Sequence, residues 1–171
     1  MNKAVFLDRD GTINRDFGYV YQKEKLEFLP GAAEALKQIR QAGFLLIVIT
    51  NQSGIARGYF SLEQYREFEA FFLDRLKEQD VWVDKVYFCP HGAEEGCLCR
   101  KPETGLFYQA AKEFDIDWSR SYAVGDRERD LCICSREPVT GILYGSGERS
   151  EPDVICLESW AEIAEVICRN P

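Results

Sequence analysis

The chain has 171 residues, 46% of them apolar and 29% charged, with a formal net charge of −8; a chain of this length buries roughly 70% of its unfolded surface, so one packed domain over residues 1–171 is expected. The negative balance argues against a nonspecific nucleic-acid binder, whose affinity needs a basic surface, and no run approaches the roughly 18 apolar residues of a membrane-spanning helix. The expectation is a cytoplasmic monomer without nucleic-acid or membrane partners, whose seven cysteines stay reduced or bind metal.

In chain order, Lys3-Ala-Val-Phe-Leu-Asp8 is a short apolar run that stops at acidic residues and Gly11, the pattern of a buried strand opening into a polar loop. Pro30 and Gly31 open a helix whose Ala32, Leu36 and Ile39 share a face and which Gly43 closes. Phe44 to Thr50 is continuously apolar, as a strand of a parallel sheet requires. Ser61 and Gln64 have capping-box spacing, and Tyr65, Phe68, Phe72 and Leu76 fall on one side of the helix they start. Val81 to Phe88 reads as a weaker strand, Leu106 to Phe114 as a helix, and Ser121 to Val124 and Val139 to Tyr144 as strands. Ser159 with Glu162 caps a last helix carrying Trp160, Ile163 and Ile167.

This alternation predicts an α/β fold, a Rossmann-like open parallel sheet with helices on both faces. Ligands of such sheets sit beyond the carboxyl ends of the strands. Four polar segments occupy those positions: Asp8-Arg-Asp10, Thr50-Asn-Gln-Ser53, the segment from Cys89, and Gly125-Asp-Arg127.

Asp8 and Asp10 straddle a kink after the first strand, and Asp-Gly is also ordinary turn chemistry. If both carboxylates face one cavity, their repulsion calls for a divalent cation. Mg²⁺ suits hard oxygen ligands. A carboxylate attacks a phosphate dianion only once that charge is neutralised, after which an aspartyl-phosphate divides hydrolysis into two easier steps.

Cys89-Pro-His91, followed by Cys97-Leu-Cys99, offers three thiols and the only histidine of the chain. Tetrahedral Zn²⁺ takes such a set, and four protein ligands leave no open position for catalysis, so a small structural zinc-binding loop is expected over 89–99. Buried cysteines beside a loop histidine are the plainer alternative. Closing the loop on zinc would fix Arg100 and Lys101, which follow it directly. Cys132, Cys134, Cys156 and Cys168 lack such clustering and read as packing residues.

Phe6-Leu-Asp8-Arg-Asp10-Gly-Thr-Ile-Asn14 resembles the first motif of haloacid dehalogenase superfamily phosphatases. The resemblance implies that Asp8 is the nucleophile and Asp10 the general acid and base, both with a part in holding magnesium. It implies further that Thr50 orients the phosphoryl group, that Lys101 offsets charge, and that Asp126 is a magnesium ligand supported by Asp130. The intervals between motifs leave no room for a cap domain. Within the superfamily the zinc segment is similar to a capless group containing heptose bisphosphate phosphatases and histidinol-phosphate phosphatases. Asp16-Phe-Gly-Tyr19 and Thr50 to Gly58 lie on the heptose side. By that resemblance Asp16, Phe17, Gly18, Tyr19, Asn51, Gln52, Ser53, Arg100 and Arg127 contact a small phosphorylated substrate, with histidinol phosphate the alternative. A zinc-stabilised binding module without turnover is the alternative of another class. Departures from the heptose pattern are a short zinc loop, Arg127 where lysine is common, and Ser135-Arg-Glu-Pro138 without a glycine turn.

Overall fold

The computed structural model describes residues 1–146 and 153–169. They form β1 (Ala4–Leu7), α1 (Ala32–Gln41), β2 (Leu45–Asn51), α2 (Leu62–Lys77), β3 (Lys85–Cys89), α3 (Gly105–Phe114), β4 (Tyr122–Gly125), β5 (Thr140–Tyr144), β6 (Ile155–Leu157) and α4 (Trp160–Arg169). All strand pairings are parallel, in the order β3-β2-β1-β4-β5-β6. The first three strands build outward from β1 in one direction and the last three in the other. The order therefore reverses between β1 and β4, where a crevice opens at the strand ends.

The period of two along the strands divides the core into two layers. Val5 and Leu7 of β1 face Leu36 and Ile39 of α1, Phe68 and Phe72 of α2, and Trp160 and Ile163 of α4. Ala4 and Phe6 face the other way, toward Leu106, Phe107 and Ala110 of α3 and Leu131 of a 3-10 helix at Glu128–Ser135. Each fully buried Phe or Leu in these layers contributes about 1.5–3 kcal/mol. The capping box of α2 is formed, Ser61 accepting from the Gln64 N–H while Gln64 accepts from that of Ser61. Ser159 and Glu162 cap α4 in the same way.

Two elements differ from the sequence reading. The strand expected from Val81 begins only at Lys85. The Val81 N–H instead closes the end of α2 on Leu76, and the Asp84 carboxylate accepts from Leu46 N–H at 2.8 Å and from Arg40 at 2.6 Å. A side chain there takes the place of a strand carbonyl. The edge strand β6 was not expected; three half-buried residues carry too short a pattern to register. Cys132 and Cys134 lie on the 3-10 helix, and both thiols pack against the second layer, as does Cys156, with Cys168 against the first.

Between β1 and β2 the principal element is α1, and between β2 and β3 it is α2; no cap domain is inserted there. Among the described residues no helix is long and apolar enough to cross a membrane.

Candidate active site

Asp8 follows β1 and Asp126 follows β4, so the reversal of strand order sets them side by side. The Asp8 N–H is bonded to the Val124 carbonyl at 3.0 Å, which continues the β1–β4 ladder to the site. Lys101 enters from the loop after β3, its side chain only 2% exposed. Its ammonium lies 2.9 Å from Asp8 Oδ1 and 2.7 Å from Asp130 Oδ1, and donates to the Ile49 carbonyl at 2.7 Å. The Asp8 carboxyl is raised to about 8, mainly by burial and further by Asp130 and Asp126, with Lys101 opposing. Asp126 is also raised, by burial and then by Asp130. Burial disfavours the Lys101 ammonium, yet Asp8 and Asp130 outweigh that and hold its pKa above the ordinary lysine value.

The carboxylates that cluster are Asp8, Asp126 and Asp130, each offering an oxygen within 4.8 Å of the others. Buried carboxylates whose charged forms are this disfavoured are a donor set that a hard dication relieves. Asp130 is already committed, Oδ1 to Lys101 and Oδ2 to the Arg127 N–H at 3.0 Å. Asp8 and Asp126 are the residues left to meet an ion, with Thr12 Oγ1 donating to Asp126 Oδ1 at 3.2 Å. Gly11 is required beside them. Its φ is +84°, and a Cβ there would lie 2.4 Å from Asp126 Oδ2.

Asp10, also expected as a magnesium ligand, is not one of these three clustered carboxylates; its own carboxylate accepts from neighbouring side chains. Oδ1 accepts from Arg9 Nε at 3.1 Å and Asn14 Nδ2 at 3.0 Å, and Oδ2 from Arg9 at 2.9 Å and Gln52 Nε2 at 3.1 Å. It lines the cleft together with Asp8. Arg9 and Asn14 stand within four positions of Asp10 in the chain, whereas Gln52 is brought in from the end of β2, 42 positions away.

The second motif is divided in the same manner. Thr50 is 1% exposed and lines the cleft, and Gln52 donates to its Oγ1 at 2.9 Å. Asn51, read as a substrate contact, lines the cleft and also brackets the Lys101 peptide with both ends of its amide. Ser53 lines the cleft beside them.

Cys89 Sγ lies 3.0 Å from Cys99 Sγ, 3.6 Å from Cys97 Sγ and 3.5 Å from His91 Nδ1, and His91 Nδ1 lies 3.2 Å from Cys99 Sγ. A tetrahedral ion with Zn–S of about 2.3 Å separates its ligands by about 3.5–3.8 Å. These separations, 3.0–3.6 Å, lie at or inside that spacing, so the donor set fits a four-coordinate ion. The far side of the loop is pinned where Gly105 N–H bonds the Leu98 carbonyl at 3.0 Å, a contact so close that a Cβ on Gly105 would sit 2.3 Å from the oxygen.

The cleft has a volume of about 290 Å³. Asp16, Gly18 and Tyr19 form one rim, the Gly18 N–H closing an Asx turn on Asp16 Oδ1 at 2.8 Å. Phe17, predicted to contact substrate, does not line the cleft and is 53% exposed. Arg57, Arg100, Arg127 and Arg129 surround the opening. Arg100 Nη1 is buried without a hydrogen-bond partner, and Arg127 reaches Asp126 only at 3.9 Å. Arg57 and Arg129 make no side-chain hydrogen bond or ion pair among the described residues. Arg129 was missed by the sequence reading; its one signal is its place two residues beyond Arg127 at a strand end.

A family model described as haloacid dehalogenase-like hydrolase matches residues 14–131, and a second, HAD-hydrolase-like, matches 98–165. The D-glycero-beta-D-manno-heptose-1,7-bisphosphate 7-phosphatase of Haemophilus influenzae is 47% identical over 137 residues, covering 77% of this chain and 74% of that protein. The protein of the same description from Helicobacter pylori J99 is 50% identical over 131 residues, covering 76% and 75%. Among solved structures, a D,D-heptose 1,7-bisphosphate phosphatase from B. bronchiseptica, complexed with magnesium and phosphate, superposes with a TM-score of 0.90 over 99% of both chains at 30% identity. The chain belongs to the haloacid dehalogenase-like hydrolase family.

Proposed function

We propose that this protein is a magnesium-dependent phosphomonoesterase that removes the 7-phosphate of D-glycero-β-D-manno-heptose 1,7-bisphosphate through an aspartyl-phosphate on Asp8. The observation that carries the reading is the Lys101 ammonium, buried 2.9 Å from Asp8 and shared with Asp130. A buried cation beside a nucleophilic carboxylate favours approach of a second anion, and Thr50 lies where a hydroxyl can meet a phosphoryl oxygen. Asp8 and Asp126 would hold a magnesium ion, which would supply further neutralisation of the phosphoryl charge. Asp8 forms the bond to phosphorus while Asp10 hands a proton to the leaving oxygen, and in the second step Asp10 takes one from water. Zinc in the Cys89, His91, Cys97 and Cys99 set keeps no open position, which supports a structural part: holding the loop that carries Arg100 and Lys101.

The four arginines around the opening support a substrate with a second anionic group. Histidinol phosphate carries an ammonium group instead, which that rim repels. The names of the Haemophilus and Helicobacter relatives support the same choice, including the β anomer. A binding module without turnover would tolerate a broken set, whereas Asp8, Asp10, Thr50, Lys101 and Asp126 are all present around one crevice.

The test compares kcat/KM on the heptose bisphosphate and on histidinol phosphate with magnesium present. One charge-assisted contact of about 1.5–3 kcal/mol predicts at least about a tenfold preference for the bisphosphate. Asp8→Asn should release no phosphate from either. Preference for histidinol phosphate would overturn the substrate, and turnover by Asp8→Asn would overturn the mechanism.

A further inference from the structure

We propose that Arg9 is a positioning residue for Asp10, holding its carboxylate in the one orientation from which it exchanges a proton with the ester oxygen of the substrate. The proposal rests on the phosphomonoesterase reading above. Arg9 stands between two cleft-lining aspartates in the sequence but turns the opposite way, into the interior, where the whole residue is 1% exposed. Burying a guanidinium without a partner is strongly unfavourable, so its partners define what the residue is for.

Two of its three nitrogens have such partners, and these form a rigid set; the third, Nη1, is buried without one. Nε and one terminal nitrogen of Arg9 grip both Asp10 oxygens, at 3.1 and 2.9 Å, in the two-point fork that sets the plane of a carboxylate. The same terminal nitrogen donates to the Val20 carbonyl at 2.8 Å, and the guanidinium lies 4.8 Å from the centre of the Phe68 ring on α2. The arginine is thus fixed by the body of the fold and transmits that rigidity to Asp10. A merely structural ion pair would hide both members. Here the arginine side chain is 2% exposed while that of Asp10 remains 19% exposed and faces the cleft. The Asp10 carboxylate also lies outside the Asp8, Asp126 and Asp130 cluster, which leaves it available for proton transfer.

In the first step a bond forms from Asp8 to phosphorus as the bond from phosphorus to the ester oxygen breaks. The Asp10 proton goes to that oxygen, and the negative charge left on Asp10 already faces Arg9. Water then attacks phosphorus and loses a proton to Asp10. The Asp8–phosphorus bond breaks, which restores the Asp8 carboxylate and releases inorganic phosphate.

The test measures kcat/KM with magnesium on a series of monophosphate esters running from 4-nitrophenyl to simple alkyl, for the wild type, Arg9→Lys, Arg9→Met and Asp10→Asn. Proton donation is worth about 10²–10⁴-fold where the leaving group is poor. Arg9→Met should therefore lose about 100-fold or more on alkyl esters and less than about tenfold on the aryl ester, with Arg9→Lys between it and the wild type. In the Asp10→Asn background Arg9→Met should add almost nothing, because both changes remove one function. Equal losses across the ester series in a folded variant, or additive losses with Asp10→Asn, would overturn the proposal. Circular dichroism checks the fold. If Arg9→Met fails to fold, Arg9→Lys decides, and if both fail, Asn14→Ser decides, since it removes another donor to Asp10 Oδ1. A wild type that hydrolyses none of the esters would instead defeat the phosphomonoesterase reading on which the proposal stands.

Discussion

The side-chain amide of Asn51 holds the Lys101 peptide by both its polar groups, Nδ2 donating to the carbonyl at 3.1 Å and Oδ1 accepting from the N–H at 3.0 Å. The end of β2 thereby fixes the backbone whose side chain carries the buried ammonium to Asp8. A displacement of about 1 Å at a catalytic group can cost about 100-fold in rate. Asn51→Ala is expected to lower kcat by about 10–100-fold with little change in KM. Asn51→Asp should fare no better, since a carboxylate cannot donate to the Lys101 carbonyl. Steady-state kinetics on the bisphosphate decides; a raised KM with kcat intact would make Asn51 a substrate contact instead.

The loop that carries Cys89, His91, Cys97 and Cys99 should act on catalysis from the other side of Lys101. Metal analysis is expected to find one zinc per chain, lost in Cys99→Ser, because removing one of four ligands opens the site to water. With the loop slack, Arg100 and Lys101 lose their placement, and kcat/KM should fall by about 10–100-fold. Far-UV circular dichroism should change little, since the first core layer does not involve the loop. Chelation of zinc that left kcat/KM untouched would remove the loop from the mechanism.

Arg57 and Arg129 should matter only for a substrate with two anionic groups. Each guanidinium is exposed, so its contribution is screened; Arg57→Ala and Arg129→Ala are expected to raise KM for the bisphosphate by about three- to tenfold. On 4-nitrophenyl phosphate, which has nothing to offer the rim, KM should stay near the wild-type value. Raising the salt concentration should shrink the difference between variant and wild type.

Glu69 offers a test of pH dependence away from the cluster of carboxylates. Its carboxyl is pushed up by burial, with Tyr65, Arg9 and Arg66 opposing, and its Oε1 accepts the Tyr65 hydroxyl at 2.9 Å. A carboxyl raised in the folded state contributes stability below its unfolded value of 4.5 and loses that contribution as pH rises through the folded value. At pH 7 the charged form is thus mildly unfavourable. Glu69→Gln keeps the acceptor and removes the charge, and should stabilise the protein by about 0.5 kcal/mol at pH 7. The gain should vanish as the pH is lowered toward 4.5, measured by denaturant unfolding across pH. A constant difference at every pH would show that Glu69 does not feel its burial.

The chemistry at the strand ends was legible in the sequence because it is written in short stretches. An apolar run closing on Asp8-Arg-Asp10, a capping box at Ser61, and three thiols with a histidine between 89 and 99 each depend on neighbours along the chain. Alternation of helix and strand periodicity then implied a parallel sheet, and the sheet implied where ligands collect. Only the tertiary structure decided which side chains would meet. Lys101 and Asp8 are separated by 93 positions, Thr12 and Asp126 by 114, and Asn51 and Lys101 by 50. No local pattern distinguishes an Asn51 that touches substrate from one that clamps a peptide, or an arginine facing water, like Arg129, from one sealed behind Asp10, like Arg9. The physical reason is that periodicity reflects which face of an element is apolar, whereas the partner of a polar group depends on desolvation and hydrogen-bond geometry, which exist only once distant segments have packed.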